Sequence, residues 1–87
     1  MPSISMFYGI TIYMYNNGSE HNPPHFHAKY DGKFSTFNLD GTFKEGEMPA
    51  KQQRMVRVWA DIHSEELKAL WDMCLNKEAL YRIEPLR

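Results

Sequence analysis

The chain has 87 residues, enough for one domain with a single modest core and too few for two. Hydrophobic residues at 43% and aromatics at 14%, with no low-complexity tract, exclude a disordered polypeptide. Ten Lys plus Arg against eleven Asp plus Glu leave a net charge of −1, so no global field attracts nucleic acid or an acidic membrane, and any such contact has to be local.

The apolar run from Ile4 to Tyr15 is interrupted by Ser5, Gly9 and Thr11, which rules it out as a membrane span. No charged-then-apolar leader opens the chain, so a cytoplasmic protein is expected. Within this run Tyr8, Ile10, Ile12 and Met14 alternate with Phe7, Thr11, Tyr13 and Tyr15, and the period of two predicts one strand over 4–15. Asn16-Asn17-Gly18-Ser19 ends it, and Pro23-Pro24 keeps the following residues extended, which makes 16–24 a loop.

Asp31-Gly32 is the two-residue signal of a type I′ turn, so 25–30 and 33–39 are expected to pair antiparallel. With Tyr30 opposite Lys33, Lys29 meets Phe34, His27 meets Thr36 and His25 meets Asn38, all on one side. Phe26, Ala28, Tyr30, Phe37 and Leu39 take the other side and form the expected core face, which leaves His25 and His27 together on the more polar face. A second turn at Asp40-Gly41 returns 42–45 as a short edge strand.

From residue 49 the period changes. Met55, Trp59 and Ile62, then Leu67, Leu70, Trp71 and Cys74, recur at three-and-four spacing and predict amphipathic helices over 49–62 and 64–76. Pro49 suits a first turn, and Ser64 with Glu65 and Glu66 suits a capped start with acids at the positive dipole end. Asn76 is a stop, and Tyr81 to Glu84 are expected to return as a short strand. Strands followed by helices without alternation give an α+β domain: a small antiparallel sheet of three to four strands packed against two C-terminal helices. Trp59 and Trp71 fall on the apolar stripes and belong to the core. The lone Cys74 can make neither an internal disulfide nor a paired-cysteine zinc site.

The chemistry is concentrated in "EHNPPHFHAKYDG" at 20–32, which holds three of the four histidines. One reading is a metal site. Residues two apart on a strand point the same way, about 6.6 Å apart, and converging imidazoles can share zinc or another divalent ion at roughly 2.0–2.1 Å. Its ligands would be His25 and His27, with His21, Glu20 or Asp31 as the third. A second reading is metal-free acid–base chemistry such as RNA cleavage, in which His25 or His27 moves protons and Lys29 or an arginine stabilises phosphate charge. A third is structural: the histidines are solvated, or hydrogen-bond to the loop and hold its double-proline path. Tyr13, Tyr15 and Phe34 lie on or near the same face, and a partly apolar sheet face edged by histidines is a surface for another protein. Lys51, Arg54 and Arg57 on the first helix could touch phosphate, but a charged solvent face is the commoner meaning of such a run. Because the second helix starts acidic, the helix pair does not read as a DNA-binding unit.

The segments "PSISMFYGITIYMY", "HNPPHFHAKYDG", "VWADIHSEEL" and "IEPL" resemble the small prokaryotic family catalogued as domain of unknown function 4160, nearly end to end, and the N-P-P-H-F-H segment is the most specific part. The resemblance implies no established activity. Members are often encoded beside a second small protein, similar to a toxin–antitoxin operon, which implies a binding partner. The residues that match the family's segment are His21, Pro23, Pro24, His25, Phe26 and His27. Two readings follow: an interaction module that binds the neighbouring small protein, with a homodimer through the sheet edge as a further option, or a histidine-dependent hydrolase or nuclease.

Overall fold

The computed structural model describes residues 3–15 and 23–87. Five strands form one antiparallel meander in the order β1-β2-β3-β4-β5: β1 (Ser3–Phe7), β2 (Ile10–Tyr13), β3 (His25–Tyr30), β4 (Lys33–Asn38) and β5 (Phe43–Gly46). Two helices follow, α1 (Ala50–Ile62) and α2 (Ser64–Leu75). No helix is long and apolar enough to cross a membrane among the described residues. The fold is therefore α+β as expected, with five strands rather than three or four.

The extra strand comes from the first apolar run, which is a hairpin and not one strand. Tyr8 (φ 48°) and Gly9 (φ 79°) both take the left-handed conformation that a type I′ turn demands, and Phe7 pairs with Ile10 across it. A two-residue turn sets its flanking residues on the same face. Phe7 is therefore buried with Ile10, Ile12 and Met14, while Tyr8, expected among them, is 58% exposed. A bulge sets Ile4 and Ser5 together against Ile12, and both residues are buried.

The β3–β4 hairpin has the expected register at every position, from Tyr30 with Lys33 through His27 with Thr36 to His25 with Asn38. Phe26, Ala28 and Phe37 are fully buried beneath the helices, and Tyr30 and Leu39 pack at the rim of that core. Val56, Trp59 and Ala60 of α1 and Leu67, Leu70 and Trp71 of α2 complete it from the other layer.

The helix ends differ in detail from the sequence reading. Pro49 is the N-cap residue of α1 rather than its first helical residue, and His63, not Ser64, joins the two helices. The His63 Nδ1 bonds Glu66 Oε1 at 2.7 Å, which fastens the junction. At the end of α2, Glu78 N–H donates to Met73 O and Lys77 N–H to Cys74 O, a Schellman closure with Lys77 at φ 58° where glycine is usual. Residues 81–84 form no strand, yet Ile83 N–H donates to Ile4 O at 2.7 Å and lines the tail along β1.

Gly41 lies directly beneath α1. A β-carbon there would sit 2.8 Å from Arg57 Cα and 2.9 Å from Ala60 Cβ, on a backbone at φ +89°. Gly41→Ala is expected to destabilise the fold by about 2 kcal/mol or more, since neither helix backbone nor turn can yield. Lys77→Gly should act in the opposite direction, with a gain of about 0.5–1 kcal/mol from relieving left-handed strain. Urea unfolding of the two variants against the parent checks both signs.

Candidate functional site

The two described histidines of the N-P-P-H-F-H segment stand on β3, and neighbouring elements place them in different environments. His25, the first residue of β3, is 6% exposed. Its Nδ1–H donates to Pro23 O at 2.9 Å, which sets the tautomer and ties the end of the double-proline segment to the strand. Its ring lies 5.1 Å from Trp71 of α2 and meets the His27 ring edge-on at 5.0 Å. Of the two forms of the structural reading, His25 is buried and hydrogen-bonded to the double-proline segment rather than solvated. At the strand's first residue the sheet ends, and the Trp71 indole reaches the imidazole there.

His27 is half-buried at the centre of the sheet, opposite Tyr13 on β2 and Thr36 on β4. Tyr15 stacks on its ring at 4.2 Å and 10°, and its Nδ1 is 3.3 Å from Thr36 Oγ1. Its Nε2 is buried without a hydrogen-bond partner among the described residues. Burial is the main reason the imidazole titrates below its ordinary value of 6.5. The neighbouring His25 adds to the depression, and the Glu45 carboxylate on β5 opposes it.

Beside the histidines runs an aromatic row. Tyr13 reaches across β3 to Phe34 on β4, ring to ring at 5.9 Å, and Lys29 Nζ lies 5.5 Å above the Phe34 ring. Phe34 remains 42% exposed. The structure thus brings Tyr13, Tyr15, His25, His27, Lys29 and Phe34 onto one patch. His21 lies outside the described residues, as does most of the predicted loop at 16–24.

No three His, Cys, Asp or Glu side chains lie close enough to hold a metal ion among the described residues. Three surface clefts, of about 230, 240 and 460 Å³, flank β5, α1 and the turns around Asp31 and Gly41, and none of these three is lined by His25, His27 or Lys29.

Residues 9–72 match the family described as Domain of unknown function (DUF4160). The chain belongs to this family. The matched span begins at the Tyr8-Gly9 turn and ends just past Trp71, so it contains every described member of the patch and the tryptophan that covers His25. No curated protein and no solved structure matches the chain.

Sequence reasoning found the patch but not two contacts that define it. Trp71 reads correctly as core, yet nothing in local spacing links it to His25, forty-six positions away. Glu45 falls opposite Thr36 because of the β4–β5 pairing, which places a carboxylate two strands from His27, across Thr36. The alternation of β5 carries that signal once the Asp40-Gly41 turn is recognised.

A depressed histidine pKa has a defined effect on stability. Above about pH 6.5 His27 is neutral in both folded and unfolded chains and contributes no pH dependence. As the pH falls through that value, the unfolded chain takes up a proton that the folded one resists, and stability drops until the folded pKa is also passed. Unfolding free energy measured from about pH 7 to about pH 5 should therefore decline, with a smaller slope in His27→Gln.

Proposed function

We propose that this chain is a non-enzymatic interaction module, one component of a two-gene, toxin–antitoxin-like system, and that it binds a second small protein through the open face of its sheet. The supporting observation is the exposed Phe34 ring, framed by Tyr13 and Lys29 beside the Tyr15–His27 stack. Aromatic rings with a cation beside them are the kind of anchors that dominate protein interfaces, and Tyr and Phe bury large areas at small entropic cost. The histidines serve that surface as structure. His25 fastens the Pro23 carbonyl, and His27 is the platform on which Tyr15 stacks.

The resemblance in the sequence supplies the partner: the small protein encoded beside the gene. The net charge of −1 and the mixed-sign surface agree better with a protein partner than with nucleic acid.

One observation favours the second reading, a histidine-dependent hydrolase or nuclease. A histidine with a depressed pKa is neutral at physiological pH and can act as a base. Neither ring nitrogen is open, however: Nδ1 lies against Thr36 Oγ1, and Nε2 is buried without a hydrogen-bond partner among the described residues. A base needs access to its substrate, so this geometry supports the binding role more strongly.

Titration calorimetry of the chain with the protein encoded beside it separates the two. Phe34→Ala and Tyr13→Ala should each weaken the complex about 30-fold while leaving the circular dichroism spectrum intact. Equal affinity of parent and variants would defeat the sheet-face reading. RNA or ester hydrolysis by the purified parent, lost in a folded His27→Ala, would put the enzyme in its place.

A further inference from the structure

The outer surface of α1 plays no part in the sheet-face reading. At about 100° per residue, Val56, Trp59 and Ala60 point to the core and Arg54, Val58 and Asp61 point directly away from it. Val58 is 51% exposed, and Ile62, one turn further on, is 63% exposed. Arg54, Arg57, Val58 and Asp61, together with Asp40, line the cleft of about 460 Å³. This is an apolar spot enclosed by charge on an otherwise polar helix face.

The charges around that spot follow an order. Arg54 and Asp61 are seven residues apart, which is two helical turns and about 10.5 Å, too far to pair within one chain. Neither belongs to any ion pair among the described residues. Along the helix the sequence of features is cation, apolar residue, anion. Reversed end to end, it becomes anion, apolar residue, cation, so the stripe is its own complement.

We propose that α1 packs antiparallel against α1 of a second copy of this chain, with Arg54 of each copy paired with Asp61 of the other and the two-fold axis falling between 57 and 58, so that Val58 lies beside its counterpart. A register that sets 54 opposite 61 also brings 57 and 58 to the axis, where Val58 loses its exposure. Ile62 then covers the flank beside Arg54 of the second copy, and the contact is isologous and closed. Asp40 lines the same cleft. Its carboxyl is held below the usual range chiefly by hydrogen bonds from Thr42, with a smaller effect from the Arg57 guanidinium, so it stays an anion able to face the second copy's Arg57.

The free edge of β5 is a poorer route to a dimer. A regular antiparallel ladder about a two-fold axis sets some residue opposite itself, and the two registers centred within Phe43–Gly46 bring Lys44 onto Lys44 or Glu45 onto Glu45. The charges that complement one another on α1 repel one another there.

Sedimentation equilibrium of the full chain, from about 1 μM to about 1 mM, tests the proposal. The parent should dimerise within that range. Val58→Asp should be monomeric throughout. Arg54→Glu and Asp61→Arg should each weaken the dimer about tenfold or more, because the two-fold axis counts every reversal twice, and the double variant Arg54→Glu/Asp61→Arg should recover the parental constant. All of these positions are solvent-facing, and circular dichroism confirms that each variant keeps its helices. A parent that stays monomeric to the top of the range overturns the proposal. So does a dimer indifferent to Val58→Asp, or single reversals that the double variant fails to rescue.

Discussion

The Trp59 indole organises this domain. It is fully buried, lies 5.4 Å from Phe7 and 5.8 Å from Phe26, and donates its N–H to Glu84 O at 2.9 Å. One side chain therefore joins α1 to two strands and to the C-terminal tail. A buried indole has one donor, and the tail carbonyl satisfies it, so the largest residue of the core carries no unpaired polar group. The consequence for the patch is direct. Phe26, edge-on to Trp59 and stacked on Phe37, is locked to the helical side, and strand alternation then turns His27 to the open side.

The histidines illustrate the difference between a residue type and its role. Two imidazoles two positions apart on a strand suggest ligands or catalysts, yet here each is held by packing. His25 lies under Trp71 with one nitrogen on the Pro23 carbonyl, and His27 is pressed between Tyr15 and the His25 edge. Burial disfavours the charged form, and His25 beside it disfavours it further, so a neutral aromatic platform is the physically consistent state near pH 7. Such a platform orders the aromatics around it.

A two-layer α+β domain has two outer surfaces, the open face of the sheet and the outer face of the helices. Both carry features that a purely solvated surface lacks. On the sheet these are Tyr13, Phe34 and Lys29, and on α1 they are Val58, between Arg54 and Asp61, and Ile62 just beyond Asp61, with neither charge in an ion pair among the described residues. Because the two surfaces face opposite ways, occupation of one leaves the other free. If the two proposals hold, binding of a different protein on the sheet and of a second copy on the helix would put two binding faces in one assembly, a source of avidity without additional contacts.

Local chemistry made much of this legible from sequence. Asp31-Gly32 admits only a tight turn, so the pairing of 25–30 with 33–38 followed residue by residue, and with it the face on which His27, Lys29 and Phe34 stand. The helical stripes ending at Asn76 were equally local, because three-and-four spacing has a single helical interpretation at that length. The first hairpin was not legible, since Tyr8-Gly9 lacks the usual turn residues and an unbroken alternation runs through it. Only closure of the core on Phe7, with Tyr8 turned out to water, decides that register. Nor was the contact of His25 with Trp71, which depends on where α2 lands on the end of the sheet. Sequence sets turns and periodicities because they depend on neighbours a few residues away. Which side chains become neighbours across forty-six positions depends on how two layers pack around one core, and only the folded chain decides that.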